Sequence, residues 1–334
     1  MYVSRAIFLL VVIGLITTAG EGQGERSKNE ILPPKNYQPL KPAASPELGT
    51  LLRLALNVVL DPASGKEFKA EEIAATLIDI SRPDDIRWAN ENGEKPIYPA
   101  SVVKMFYMAA LERQLEDRKL TLTPELTRGL RDMIVDSSNE ATQYILDVLT
   151  DTSSGAELPQ KQFEQWQYKR NRVNRYFASM GYPNINVNQK TFCEDAYGIE
   201  QQSRKYKGQN RNMITTNATA RLLAEIVLGR MNTPERTQVM MDLLKRDPFK
   251  PSSDPDNQAV GFTGKALMDA GMTNARLWSK AGWTSRARHD AAYIETSEGL
   301  KFVLAIFTEN HANDRNAISM VAGSVIAGMK EARK

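Results

Sequence analysis

The chain has 334 residues, with 43 Lys and Arg against 40 Asp and Glu and a formal net charge of +3; the two signs are mixed along its length, which excludes a nucleic-acid-binding face. Cys193 is the one cysteine and His289 and His311 the two histidines, so neither a disulfide framework nor a thiolate or histidine metal site is available and no cofactor or metal is expected. A histidine-based triad would have to use His289, which has no G-x-S-x-G elbow to serve, so hydrolytic chemistry in this chain would move its protons through lysine.

Residues 1–19 carry Arg5, an uncharged stretch over 6–16 and the small residues Thr17-Thr18-Ala19, the pattern of an export signal. The apolar run is short for a membrane span, and the expected location is periplasmic or extracellular, with a membrane tether as the alternative if the signal stays uncleaved. Residues 20–45 are polar and proline-bearing without apolar periodicity and read as a disordered tether. Residues 46–334 read as a single domain with two lobes, expected to be monomeric.

Within that domain, apolar spacing predicts a helix over 46–60, then strands over 74–80 and 86–89. Helical patterns follow at 102–115, 125–135, 140–149, 173–180, 218–228 and 235–245. Strands return at 276–280, 290–296 and 301–308, the last two joined by a Ser297-Glu298-Gly299 turn, and a helix over 315–329 closes the chain. Strands from both chain ends around inserted helices imply an α+β fold: one antiparallel sheet whose halves meet, an all-helical lobe, and a cleft between them. The polar stretches 151–171 and 182–216 exceed ordinary connections and read as functional loops or insertions; Arg204, Lys205, Lys207 and Arg211 within the second read as solvated charge.

Three short motifs carry chemistry. In Tyr98-Pro99-Ala100-Ser101-Val102-Val103-Lys104, a proline ahead of an apolar run starts a helix and stacks Lys104 one turn above Ser101. Desolvation lowers a lysine pKa, and a neutral amine beside a hydroxyl can take its proton, although a capping serine with a snorkelling lysine has the same pattern. Asp136-Ser137-Ser138-Asn139-Glu140 precedes a helix, where Ser137 with Glu140 also fits a capping box. Lys280-Ala281-Gly282-Trp283 ends a strand, its glycine permitting close approach of another backbone or marking a bulge.

Taken together and in this order, S-x-x-K, Ser137-Ser138-Asn139 and Lys280-Ala281-Gly282 resemble the motif set of the serine β-lactamase and penicillin-binding protein superfamily, most closely class A, over residues 51–332. The helix start at Ile214-Thr215-Thr216-Asn217 looks like the one that follows that family's omega loop. The resemblance implies a β-lactamase/DD-peptidase-like fold in which Ser101 is the acylated nucleophile and Lys104 its proton acceptor. Ser137 would pass a proton to the leaving nitrogen, Asn139 would hold the substrate amide, and Lys280 would attract the substrate carboxylate. Backbone N–H groups of Ser101 and Trp283, beside Gly282, would form the oxyanion hole.

The chain departs from the pattern at Ser138, where an aspartate is usual, and at Ala281, where a hydroxyl residue is usual; Arg288 or Arg286 is expected to supply the missing carboxylate contact, with His289 competing for the place. The segment between Ser101 and Ser137 is short, and the insertion 151–171 is a candidate to rebuild that wall of the cleft. No E-x-x-L-N pattern provides the family's deacylation base. Alignment from Val187 puts Thr191 there, a count back from Thr216 puts Glu200 there, and Glu194 is the third candidate. The implied function is a class A β-lactamase-like serine hydrolase acting on small-molecule β-lactams. A D-alanyl-D-alanine peptidase acting on cell-wall stem peptides is the alternative within the same machinery, and a catalytically silent cell-wall-binding module the alternative outside it.

Overall fold

The computed structural model describes residues 30–192 and 194–332; the expected signal at 1–19, the start of the tether and Cys193 lie outside them. The strands are β1 (Ala43–Ala44), β2 (Ile73–Asp79), β3 (Arg87–Glu91), β4 (Lys245–Arg246), β5 (Arg276–Trp283), β6 (Ala287–Glu295) and β7 (Lys301–Glu309). The helices are α1 (Pro46–Leu60), α2 (Lys104–Glu116), α3 (Pro124–Ile134), α4 (Asn139–Thr150), α5 (Gln160–Arg170), α6 (Arg172–Ser179), α7 (Gly198–Arg204), α8 (Thr216–Val227), α9 (Pro234–Leu244), α10 (Thr263–Asp269) and α11 (Ala317–Glu331).

All seven strands form one sheet in the order β1-β3-β2-β7-β6-β5-β4. The chain ends meet where β2 pairs antiparallel with β7, Ile73 opposite Thr308 and Asp79 opposite Phe302. The sheet is mixed, because β1 runs parallel to β3 at one edge. Side chains alternate across a strand, and in β2 Ile73, Ala75 and Leu77 pack with α1 and α11 on one face. Ala74 and Ile78 belong to the core of the helical lobe on the other. At the centre of that lobe α2 is buried on every side from Lys104 to Leu115, which is the environment that makes an ammonium costly at its first residue.

Helix starts follow local chemistry: Ser45 and Thr123 accept from the N–H groups of Leu48 and Leu126, each followed by a proline at the first helical position. Helices α5, α7 and α10 were not legible as elements. Helix α5 is polar nearly all round, burying only Phe163, Gln167 and Arg170, and tertiary ion pairing rather than an apolar stripe holds it.

The expected tether is also corrected over 31–45. Ile31 and Leu40 are buried, and the segment closes over Glu225, a fully buried carboxylate. Glu225 accepts from the Tyr37 hydroxyl at 2.7 Å, the Leu40 N–H at 2.8 Å and the Tyr182 hydroxyl at 2.8 Å. A buried carboxylate needs such donors, so this stretch is held by polar partners that hydropathy does not reveal.

Candidate active site

Ser101 lies in a 3-10 turn, Ala100–Val103, that leads directly into α2, and the Lys104 N–H donates back to the Ser101 carbonyl. The preceding Ala100 has φ +46° and Ser137 has φ +57°, backbone states that a non-glycine residue adopts at a cost of about 1–3 kcal/mol. Both flank the same junction between the sheet and the helical lobe.

The capping reading of Ser137 is corrected: Ser138 caps α4, its Oγ accepting from the Ala141 N–H. Ser137 is thereby free of the cap, and its Oγ stands 2.9 Å from Lys280 Nζ and 3.4 Å from Lys104 Nζ. Lys104 Nζ also donates to the Ser137 carbonyl at 2.5 Å and to Asn139 Oδ1 at 2.9 Å. Ser138, in the place of the expected aspartate, thus does the helix start a service and contributes no charge beside the lysines.

Lys280 is fully buried on β5. Burial, the Lys104 charge and the Arg246 charge push its pKa well below the ordinary lysine value, against the opposing pull of Asp290. Two amines therefore share one hydroxyl, and at least one of them is driven toward the neutral, proton-accepting form. Such a group can relay a proton through Ser137.

Gly282 sets the approach of β5 to Ser101. A Cβ there would fall 2.6 Å from the Ser101 nitrogen and 2.9 Å from the Pro99 oxygen and the Val102 nitrogen, all backbone atoms that cannot yield. Beyond Trp278, β4 no longer pairs with β5, so residues 279–283 present a strand edge along the Ser101 turn. Half-exposed Trp283 packs on Phe262 and, with Ser137, Arg246 and Gln258, lines a cleft of about 570 Å³ beside Lys280.

Gln258 was missed by the sequence. Its Oε1 accepts from Lys280 Nζ, and its Nε2 donates to the Val135 carbonyl at 2.9 Å. It sits in a polar loop with no motif around it, so no pattern could have drawn attention to it.

Arg288 is corrected. It is 1% exposed, ion-paired to Asp256 at 2.7 Å, donating to the Gly261 carbonyl and stacked on Phe262, so its guanidinium is already committed. His289 is buried within the sheet, Nε2 against the Tyr98 carbonyl and Nδ1 accepting from the Thr308 N–H, and burial pushes it down to about 4. Arg286 is exposed.

The loop 187–212 is closed at its neck by the Asn186–Met213 bridge, and Asn212 Oδ1 accepts from the N–H groups of Asn188 and Gln189. It reaches α4 where Gln143 donates to the Thr191 carbonyl, one turn from Asn139. Thr191 itself is buried, with a hydroxyl that has no hydrogen-bond partner among the described residues. Glu200 lies in a closed ion-pair cluster: it is 1% exposed, paired to Arg170 at 2.7 Å and Lys190 at 3.3 Å, and accepts from Ser154 at 2.9 Å. Burial pushes its carboxyl up, but Arg170 and Lys190 outweigh that and hold it below the ordinary range. Glu194 is exposed. The site thus joins Ser101, Lys104, Ser137, Asn139, Lys280 and Gly282, and leaves Glu194, Glu200 and Arg288 outside that set of contacts.

The insertion 151–171 packs on this loop: the Gly155 carbonyl accepts from the Ile199 N–H, and Arg170 clamps Glu200. Gly198, at φ +52°, is required there, since a Cβ would fall 2.0 Å from the Gly155 oxygen. Among the described residues no group of three or more His, Cys, Asp or Glu side chains is placed to hold a metal.

Comparison with known proteins finds the same fold elsewhere. Among solved structures, the β-lactamase from Sphaerobacter thermophilus is similar at a TM-score of 0.59 and 19% identity, covering 85% of this chain and 97% of its own. PBP-A is similar at 0.58 and 16%, covering 89% and 100%, and a class A β-lactamase from Bacteroides cellulosilyticus at 0.59 and 14%, covering 85% and 98%. At these identities the likeness is one of fold. Curated protein sequences give no match. The model of the β-lactamase enzyme family matches residues 125–326, more than half of the chain. The chain belongs to the β-lactamase enzyme family.

Proposed function

We propose that this protein opens β-lactam amides through an acyl-enzyme on Ser101. The observation that carries the proposal is the convergence of Lys104 and Lys280 on Ser137 Oγ, at 3.4 and 2.9 Å. In the proposed reaction the Ser101 hydroxyl gives its proton to the Lys104 amine while its oxygen bonds to the lactam carbonyl carbon. The C–N bond then breaks, and the leaving nitrogen takes a proton from Ser137, which is resupplied by the lysines beside it. Backbone N–H groups of Ser101 and Trp283 would hold the oxyanion. In its ammonium form Lys280 would attract the substrate's carboxylate to the cleft through its charge, its three amine positions being occupied within the protein. Export through the 1–19 segment, which would bring the site to cell-wall peptides, is part of the same proposal and stands on the sequence.

A second reading, a penicillin-binding D-alanyl-D-alanine peptidase, is favoured by the loop 187–212. Its acidic residues are Glu194, Asp195 and Glu200. Glu200 is locked to Arg170, Asp195 is paired with Arg204, and Glu194 is exposed. None of these settings resembles that of a carboxylate poised over an acyl-serine. A variant of the similar PBP-A is known as an acyl-enzyme complex with penicillin G. Labelling with a fluorescent penicillin, alongside steady-state hydrolysis of a chromogenic lactam, tests both readings. Labelling lost in Ser101→Ala with turnover in the wild type supports the lactamase, labelling without turnover supports the peptidase, and wild-type labelling in Ser101→Ala overturns both.

A further inference from the structure

We propose that Gln258 is the positioning residue for Lys280, aiming its amine at Ser137 and tying that aim to the end of α3. The inference rests on the acyl-serine reading of the site and assigns it a member outside its three motifs.

Gln258 Oε1 accepts from Lys280 Nζ at 2.5 Å and from the Ala281 N–H at 3.3 Å. Its Nε2 donates to the Val135 carbonyl at 2.9 Å and the Ile134 carbonyl at 3.4 Å. The amide has one acceptable orientation, because a flip would turn an NH2 group toward two donors and an oxygen toward two acceptors. Those two carbonyls belong to the last residue of α3 and its cap, three and two residues before Ser137, and Arg246 donates to the Ile134 carbonyl as well. Gln258 therefore joins the turn that carries Ser137 to the strand that carries Lys280, across the junction of sheet and helical lobe.

The consequence at Lys280 is directional. Its Nζ touches three oxygens: Gln258 Oε1, the Ala281 carbonyl at 2.8 Å and Ser137 Oγ at 2.9 Å. A lysine amine has three positions beyond its carbon. Two N–H groups are taken by acceptors that are held in place, so the third position points at Ser137 whether it carries a proton or a lone pair. That lets Lys280 donate to Ser137 as an ammonium and accept from it as an amine without moving, which is what a relay requires. An uncharged amide suits the task better than a carboxylate, which would pin the lysine in its charged form. The charged groups facing Lys280 are Lys104 from α2 and Arg246 from β4, which disfavour its proton, and Asp290 from β6, which favours it.

Two variants test the proposal. Gln258→Leu keeps the bulk and removes both ends of the clip; Gln258→Glu keeps the acceptor and adds a charge. The readouts are the acylation rate with a fluorescent penicillin between pH 5 and 9, and the titration of Lys280 Nζ by NMR of ¹⁵N-lysine-labelled protein, assigned with Lys280→Arg. Gln258→Leu is expected to slow acylation at least tenfold with its melting transition retained. Gln258→Glu is expected to raise the Lys280 titration midpoint by at least one pH unit and to move the acylation profile with it. A wild-type midpoint in Gln258→Glu, or wild-type acylation in Gln258→Leu, overturns the proposal. The NMR titration needs no turnover, so a wild-type protein that fails to react with penicillin would refute the acyl-serine reading while the role of Gln258 is still decided.

Discussion

Ser137 Oγ and Lys280 Nζ, 143 positions apart in the chain, stand 2.9 Å from each other across the junction of the sheet and the helical lobe. The contact depends on a residue in a left-handed backbone state and on a fully buried lysine, each unfavourable alone. Their coincidence beside Ser101 is more readily understood as a working site than as a stabilising one, and it makes definite predictions.

Ser137→Ala removes the hydroxyl shared by the two lysines and leaves the Asn139 contact of Lys104 in place. Acylation by a fluorescent penicillin should slow by about 10²-fold or more, the scale of general acid–base catalysis, with thermal unfolding changed little. A rate within threefold of wild type would remove Ser137 from the proton path.

Gly282→Ala puts a methyl group 2.6 Å from the Ser101 nitrogen. The backbone must part there, at a cost of about 1–3 kcal/mol, and the Ser101 N–H must turn away from the strand edge. Acylation should fall at least tenfold while penicillin-independent folding, followed by circular dichroism, persists at a lower Tm. Unchanged acylation would show that strand β5 does not set the oxyanion geometry.

Glu200→Gln should act on stability and spare the lifetime of the acyl-enzyme. Breaking this buried pair leaves Arg170 and Lys190 to share the partly exposed Asp147, at 3.0 and 2.6 Å, and the expected loss is on the order of 3 kcal/mol by denaturant titration. If the substitution instead trapped an adduct that the wild type releases, Glu200 would be the deacylation base after all.

Glu112, on α2, is fully buried and meets Arg236 at 3.3 Å; burial pushes its carboxyl up to about 7 from the ordinary 4.5. The native state thus holds a proton that the unfolded chain has lost, so this contribution to stability is complete below 4.5 and disappears as pH rises through 7. His289 works in the opposite direction: pushed down to about 4, its neutral form stabilises above 6.5, and that stability is lost as pH falls through 4. In Glu112→Gln the Tm advantage over wild type should grow between pH 5 and pH 8, reflecting up to about 3 kcal/mol. A constant difference across that range would show that Glu112 does not titrate there.

Much of this fold was legible because its strands and most of its helices carry strong apolar periodicity: α1 was bounded to the residue, and β2, β6 and β7 to within a few. Ser101, Lys104, Ser137, Asn139 and Lys280 could be named because the three motifs, in this order, resemble a known family's set; singly, each also fits a cap, a snorkelling lysine or a bulge. What stayed hidden is held by polar contacts between distant segments. Tyr37 and Leu40 order the expected tether by reaching Glu225, Arg170 holds α5 against Glu200, and Gln258 reaches Lys280 from a loop with no periodicity at all. Arg288 was misplaced for a related reason: β6 pairs it opposite Trp283, but its side chain runs to Asp256 and Phe262.

The most direct test of the account is an intact-mass time course with penicillin G, followed by mapping of any modified peptide. One penicilloyl group on Ser101, formed quickly in the wild type and absent from Ser101→Ala, is the predicted result, and its persistence or loss over time then separates peptidase from lactamase. No adduct and no hydrolysis at saturating penicillin, or an adduct on any residue other than Ser101, would contradict it.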